Sequence, residues 1–511
     1  MDFSFEFLDK SKAPQTLPTL FDILRANEPR GEYEAQKRDY LARVLPALEK
    51  DARRIVLLRD GGGLAGFFQY YVNSGRFMME EIQFRPEYVG SGLFRALFSH
   101  MTCVIPEGTP NVEAYARPEN ARSQGILRHM GLKPTSEGGP EFIHFRGSYA
   151  ELRDCYAPQM RLERVETPPG YDVLIGNGLL DRAGSLIRRV YSGNVCALVS
   201  DDTVSARYAE RVQKALSMVG CEAKRFTFPA GEQSKRFRTL EYLLNGFAGA
   251  SLTRADLVIA LGGGVTGDLA GFAASCYLRG VPFVQIPTTL LAAVDASVGG
   301  KTAVDLDGGK NLAGAFYPPR LVICDPEVFG TLSPEARACG LAEVVKMGVI
   351  GDPALFDGVE AGCAADEETV ARCVRMKARV VEADERDTGA RRLLNLGHTY
   401  GHAVEALSGY TVPHGYAVAA GLSTACRAAA RMGDMPENDA WRVVNALRSL
   451  GLPTVCPFPA EDVARAALAD KKRTDDRISI IVPEGIGACR VQNVEIGRLI
   501  DYVRAGIADF Q

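Results

Sequence analysis

No apolar run in this 511-residue chain approaches the ~20 residues that a bilayer-spanning helix needs, so a helical membrane span is excluded. Nor is there a long basic run. With a formal net charge of −4, neither nucleic acid nor an anionic membrane is an expected partner. The opening MDFSFEFLDKSK is acidic and lacks the basic-then-apolar order of a signal peptide. Twelve cysteines are scattered from Cys103 to Cys489 without one C-x-x-C pair. That pattern argues against a disulfide framework or a cysteine zinc site and for reduced, mostly buried thiols. A soluble, cytoplasmic protein is expected. Histidine is scarce as well, with six in the whole chain, which makes their placement informative.

A hydrophobic content of 46% and a charged content of 24% belong to an ordinary globular protein with a sizeable core, and the length calls for two or three domains. Half of the histidines, His398, His402 and His414, fall within LLNLGHTYGHAVEALSGYTVPHG, Leu393 to Gly415. His398 and His402 lie one helical turn apart on one face. Gly409 and Pro413 mark a loop that can fold His414 back onto them. Imidazole is the commonest protein metal ligand, and two or three imidazoles with a carboxylate suit zinc.

Along the chain, residues 17–29 and 33–50 read as helices, and Arg54–Arg59 and Leu64–Val72 read as a hairpin about a glycine turn. The strand Phe77–Phe84 leads through Gly90-Ser91-Gly92 into a helix over Leu93–Met101, an arrangement whose backbone N–H groups can hold phosphate oxygens. A strand at Asn111–Ala116, a helix from Asn120 to Met130 and a strand at Phe142–Arg146 follow. This order resembles the GNAT-type N-acyltransferases, which implies an α+β fold for residues 1–150 and an acetyl- or other acyl-coenzyme A at that turn. Glu87, Leu127 and Leu132 depart from the pattern, and a non-catalytic binding or interaction module is the alternative.

Residues 147–172 are polar and rich in proline, so a linker is expected over 151–170. Beyond it strands and helices alternate: Tyr171–Ile175, Leu180–Arg188, Val195–Ser200, Ala206–Met218 and Ala223–Phe228. That rhythm predicts an α/β fold with a parallel sheet. Leu257–Leu261 is a buried-type strand running into Gly262-Gly263-Gly264, and glycines, hydroxyls and the lysines Lys301 and Lys310 crowd the loops that follow, as an anionic ligand would need.

The run Gly262 to Tyr317, together with GLAEVVK at Gly340 to Lys346, closely resembles 3-dehydroquinate synthase of the sugar phosphate cyclase family, over about residues 165–505. The resemblance implies an NAD-binding α/β subdomain at 171–330 and a helical metal- and substrate-binding subdomain at 331–511. It implies that NAD is held by Asp201, Glu232, Lys235, Gly263, Gly264, Val265, Asp268, Thr288, Thr289 and Lys310. Glu343, His398 and His414 become ligands of Zn2+ or Co2+, and His402 becomes a proton-handling residue beside them. Lys301, Asn311 and one of Lys471 or Lys472 match phosphate-binding positions. So does Arg279, which in the family reaches across from a partner subunit and implies a homodimer. Lys377 and Arg391 match groups that bind the substrate carboxylate, Lys346 and Asn395 contact its hydroxyls, and Asp295 lies near the nicotinamide. Tyr416, Pro318 and Met347 depart from the family pattern, Tyr416 beside a metal ligand. The implied activity is cyclisation of 3-deoxy-D-arabino-heptulosonate 7-phosphate to 3-dehydroquinate. The alternatives are another sugar phosphate cyclase and a metal-dependent polyol dehydrogenase.

Overall fold

The computed structural model describes residues 3–508 except 30, 51–52, 62, 74, 106–108, 157–159, 363–364, 388, 469–472 and 475. The chain divides into two compact units, Met1–Pro158 and Gln159–Gln511.

The first unit is built on a seven-stranded sheet with the spatial order Phe3–Phe7, Arg54–Asp60, Gly63–Asn73, Arg76–Phe84, Asn111–Ala116, Ile143–Ser148, Lys133–Pro134. Neighbours are antiparallel except at the centre. There Arg76–Met79 pairs in parallel with Asn111–Ala114 and the two strands then part. A parallel pair needs a crossover, and the helix Leu93–Val104 supplies it. Phe67, Phe68, Phe77, Phe98, Phe145 and Tyr149 are fully buried and form an aromatic core. The first helix spans Ala13–Asn27, four residues ahead of the position read from periodicity, because Pro14 suits a first turn. Residues read as irregular hold the helix Tyr149–Tyr156, which buries Tyr149, Leu152 and Tyr156, and the strand Arg161–Val165. Their apolar stripes are too short to stand out among polar neighbours.

The second unit carries a sheet ordered Glu222–Phe228, Val195–Asp201, Leu257–Gly262, Phe283–Pro287, Leu321–Cys324, Tyr171–Ile175, Arg161–Val165. All pairs are parallel but the last, where Arg161–Val165 closes the edge antiparallel. Central strands such as LVIALG are buried at every position, as a sheet covered on both faces requires. From Val195–Asp201 the chain steps outward to Glu222–Phe228 and returns to the other side at Leu257–Gly262. The crevice between the carboxyl ends of these two strands is therefore a topological switch point, where open α/β sheets bind ligands. The glycine-rich stretch after it is a hairpin, Lys301–Leu306 with Gly309–Phe316.

Helices follow at Pro334–Gly351, Pro353–Glu360, Glu367–Ala383, His398–Leu407, His414–Met432, Glu437–Ser449, Ala460–Ala467 and Leu499–Ile507, with a small antiparallel sheet at Arg473–Thr474, Arg477–Gly485 and Ala488–Glu495. Pro334–Gly351 is buried round its whole circumference from Gly340 to Ile350. Two glycine contacts set the helices that bear the histidines. A Cβ on Gly421 would strike the Gly397 carbonyl and come within 2.6 Å of Gly401 N, so His398–Leu407 and His414–Met432 meet backbone to backbone. A Cβ on Gly415 would lie 2.5 Å from Cys339 O, so the start of the second helix rests directly on Pro334–Gly351.

Candidate active site

Glu343 and Lys346 stand one turn apart on the enclosed part of the helix Pro334–Gly351 and form an ion pair. Charges so placed are costly unless compensated, so they call for a functional reason. His398 is the first residue of its helix, entered through Gly397 at φ 76°, and His414 is the first residue of the next, behind Pro413. Two helix starts thus aim imidazoles at one buried carboxylate. Glu343 Oε1 is 3.8 Å from His398 Nε2 and 3.5 Å from His414 Nε2. Ligands of a tetrahedral ion at ~2.0–2.1 Å would sit roughly 3.3 Å apart, close to this spacing. The fully buried Glu343 meets Lys346 at Oε2 and both imidazoles at Oε1, a convergence of donor atoms that suits a divalent cation. The residues present fit a metal ion.

His402 joins the cluster, its ring centroid 5.2 Å from that of His398 and 6.2 Å from that of His414. Spacing alone left it a candidate ligand. In the structure its nearest ligand-type set is His402, Glu405 and His414, a second group beside the first. Glu405, which the sequence reading did not single out, holds the outer nitrogen of His414: Oε2 is 3.4 Å from Nδ1. Its other oxygen accepts from Lys310 Nζ at 3.0 Å. The signal was available, since Glu405 follows His402 by three positions on one helix face. Burial disfavours the charged ring of His414, yet the hydrogen bonds to Glu343 and Glu405 outweigh it and raise the group to about 10. Burial would likewise raise Glu405, but His414 and Lys310 hold it down at about 2.

Asp295 lies in the wide helical turn Ala292–Ala296, between two buried lysines. Lys346 Nζ is 3.3 Å from Oδ2, and Lys377 on Glu367–Ala383 donates both to Oδ1 and, at 2.5 Å, to the Asp295 carbonyl. Burial would raise the Asp295 carboxyl, but Lys346 and Lys377 outweigh it and hold it well below the usual carboxylate range. For Lys377 burial wins and lowers the ammonium despite Asp295. Arg391 is 2% exposed, donates to Gly299 O at 2.9 Å and Glu385 O at 2.6 Å, and lies 5.9 Å over the Phe316 ring. Burial also lowers its guanidinium.

At the switch point Asp201 caps the next helix, accepting from Val204 N at 2.9 Å, and Thr266 Oγ1 donates to its second oxygen at 3.5 Å. Gly263 and Gly264 open the helix Gly264–Cys276, with Val265 in its first turn. A Cβ on Gly263 would come within 3.1 Å of the Thr289 methyl, a tight fit that glycine avoids. Thr288 Oγ1 is buried without a partner at the end of Phe283–Pro287. A helix start, a glycine backbone and an orphan hydroxyl fit a nucleotide's phosphates and hydroxyls. Nearby Lys235, 5% exposed, pairs with Asp268 and donates to Asn311 Oδ1 at 2.5 Å. Lys310 bridges Glu232, at 3.8 Å, and Glu405.

The 3-dehydroquinate synthase N-terminal profile matches residues 225–338 and the 3-dehydroquinate synthase C-terminal profile residues 340–473. The 3-dehydroquinate synthase of Caulobacter vibrioides is 45% identical over 334 residues, 62% of this chain and 90% of that protein. The chain belongs to the 3-dehydroquinate synthase family. Among solved structures of that fold, 2-deoxy-scyllo-inosose synthase, in complex with carbaglucose-6-phosphate, NAD+ and Co2+, is 25% identical with a TM-score of 0.61, covering 68% of this chain and all of that one. The 2-epi-5-epi-valiolone synthase of Streptomyces hygroscopicus, with NAD+ and Zn2+ bound, is 28% identical with a TM-score of 0.60, covering 65% and 95%. The 3-dehydroquinate synthase match lies in the second unit, an enzyme unit of the lyase-type cyclase kind.

Several residues that the family resemblance singled out are placed less centrally. Lys301 is half-exposed and pairs with Asp387. Asn395 Nδ2 donates to Arg392 O at 3.2 Å. Arg279 is exposed, with Leu278 and Arg279 both in the left-handed region, at φ 49° and 68°. Lys471 and Lys472 lie outside the described residues. Tyr416 is half-buried, its N–H bonded to Pro413 O at 3.0 Å. Among the described residues no helix is long and apolar enough to cross a membrane.

Proposed function

We propose that the Gln159–Gln511 unit converts 3-deoxy-D-arabino-heptulosonate 7-phosphate into 3-dehydroquinate and phosphate. One observation carries this reading within the family: beside the buried Lys346 and Lys377, which share Asp295, the buried guanidinium of Arg391 donates to the carbonyls of Gly299 and Glu385 and, among the described residues, forms no ion pair with a carboxylate, so its charge stands in excess of the ion pairs there. An anionic substrate would balance that excess, and a planar guanidinium suits a carboxylate. A sugar phosphate without a carboxylate gives no use to a buried arginine there. Glu343, His398 and His414 hold Zn2+ or Co2+. Asp201, Gly263, Gly264, Val265, Thr288 and Thr289, together with Glu232, Lys235, Asp268 and Lys310, would hold NAD. When bound, the ion polarises ring hydroxyls and the nicotinamide takes and returns a hydride.

The chain's own side chains then do the rest. Arg391 and Lys377 anchor the carboxylate, Lys346 and Asn395 orient the hydroxyls, and Asp295 fixes both lysines. Lys301, Asn311, one of Lys471 or Lys472, and Arg279 of a second copy in a homodimer hold the phosphate as it leaves with the neighbouring proton. His402 moves a proton at the reacting ring. Phosphate release by the purified protein, supplied with metal and NAD+, is the test. Turnover of a sugar 7-phosphate without a carboxylate, and none of the heptulosonate, would assign a different cyclase. Net accumulation of NADH would assign a polyol dehydrogenase.

We further infer an acyltransferase-like role, with acetyl- or another acyl-coenzyme A, for the first unit. It is supported by the strand Arg76–Phe84, the turn through Gly90 and Gly92 at φ 85° and 86°, and the helix start at Leu93. Calorimetric titration with acetyl-coenzyme A tests it, and absence of binding at millimolar ligand would retire it.

A further inference from the structure

The buried guanidinium of Arg391 rests on a single glycine peptide. Its Nη2 donates to the Gly299 carbonyl at 2.9 Å, and a Cβ added to Gly299 would strike that same nitrogen. Arg391 therefore lies directly against the Gly299 backbone and follows it if it moves. Gly299 and Gly300 both sit in the left-handed region, at φ 99° and 63°. A turn of two glycines has little stiffness of its own, so it needs an outside hold.

Tyr171 supplies that hold. Its hydroxyl accepts from Gly299 N at 2.9 Å, across 128 residues of sequence. The ring is fully buried and opens the strand Tyr171–Ile175, which is paired on both sides, with Leu321–Cys324 and with Arg161–Val165. The hydroxyl thus comes from a rigid element. Burial pushes the phenol up to about 12, so it meets the surroundings of Arg391 as a neutral dipole and takes none of the arginine's charge. The guanidinium gives one N–H each to the carbonyls of Gly299 and Glu385 and keeps the rest of its fork for a ligand.

We propose that Tyr171 is a positioning residue for recognition of the substrate carboxylate: by holding the Gly299 peptide through its hydroxyl, it sets the plane of the Arg391 guanidinium. The proposal rests on the reading of the second unit as an enzyme for a carboxylate-bearing sugar phosphate, and it deepens that reading by adding a residue that touches no substrate. A tyrosine that opens a buried strand reads as plain core, and phenylalanine would fill the same space. The hydroxyl is what the site needs. Without it the ring still packs, but the Gly299 N–H is released and the glycine turn relaxes. Arg391 then loses its aim, and a charge-assisted hydrogen bond lost in this way weakens binding about ten-fold. The loss applies to bound substrate and transition state alike, so it falls on KM rather than on kcat.

The test is steady-state phosphate release by the full chain, supplied with metal and NAD+, for the native protein, Tyr171→Phe, Arg391→Lys and the double variant. Tyr171→Phe should raise KM for the heptulosonate about ten-fold, keep kcat within about two-fold and leave KM for NAD+ unchanged. Arg391→Lys has no planar fork to orient, so adding Tyr171→Phe to it should change KM by less than about two-fold. An unchanged KM in Tyr171→Phe, a fall in kcat without a rise in KM, a parallel loss of NAD+ affinity, or an undiminished effect on the Arg391→Lys background would each overturn the proposal. A native chain that releases no phosphate from the heptulosonate overturns the functional reading and this proposal with it. Turnover by the native chain with no change in Tyr171→Phe overturns the proposal alone. Should Tyr171→Phe fail to fold, Gly299→Ala takes its place: its Cβ strikes Arg391 Nη2 from the same peptide and should raise KM in the same sense, and an unchanged KM there would overturn the proposal.

Discussion

Replacing Glu405 by glutamine should weaken metal binding by about 10- to 100-fold, the usual consequence of removing a carboxylate behind a ligating histidine. Glu405 has a side chain only 2% exposed and sits 3.4 Å from His414 Nδ1 and 3.0 Å from Lys310 Nζ. Glutamine keeps the shape but loses the charge that fixes the ring orientation and raises the basicity of Nε2. One of its two terminal positions also becomes a donor, facing either the lysine or the imidazole, neither of which can accept from it while Nδ1 carries its proton. The affinity loss corresponds to about 1.4–2.7 kcal/mol at 25 °C. Metal-stripped protein titrated with Co2+ against a chromophoric chelator measures it without any turnover, and the d–d spectrum reports the ligand geometry. An unchanged dissociation constant and spectrum, in a variant with an unchanged thermal midpoint, would refute the reasoning. Glu405 would then be only a structural partner of Lys310.

The pH dependence of the metal-stripped protein follows from the same cluster. His414 ionises at about 10 instead of its ordinary 6.5, so its contribution to stability is full below 6.5 and is lost as pH rises through about 10. Glu405 ionises at about 2 instead of 4.5, so its contribution is full above 4.5 and is lost as pH falls through about 2. Urea midpoints should therefore be highest, as far as this pair decides, between pH 4.5 and 6.5, and His414→Asn should abolish the alkaline loss. Asp295→Asn leaves Lys377 without a carboxylate in a buried setting and should cost on the order of 3 kcal/mol, read by chemical denaturation, besides abolishing turnover; an unaltered midpoint would contradict the ion cluster. Gly421→Ala forces a Cβ into the Gly397 carbonyl and should cost about 2 kcal/mol or more and weaken metal binding, because neither backbone can yield without moving His398.

The histidine-bearing stretch was legible because histidine is rare and clustered here, and the helix period alone put His398 and His402 on one face. The buried strands were equally plain, since a sheet covered on both faces leaves a continuous apolar run such as Leu257–Gly262. Less was readable where burial depends on remote partners. The hairpin Lys301–Phe316 looks like glycine-rich loop, because its register comes from pairing and from its packing on the helix Gly264–Cys276. The short helix Tyr149–Tyr156 and the strand Arg161–Val165 likewise owe their formation to neighbours.

The sequence by itself determined the alternation of strand and helix, the residue types able to hold a metal and a nucleotide, and the family. Helical spacing left His398, His402 and His414 undivided and the family resemblance separated them, but only the tertiary structure decided what lies against each. His398 and His414 face Oε1 of Glu343, while Glu405 stands behind His414 and groups with His402. The physical reason is that Glu343 comes from a helix more than fifty residues earlier, and its approach is set by glycine contacts at Gly415 and Gly421 rather than by any local spacing.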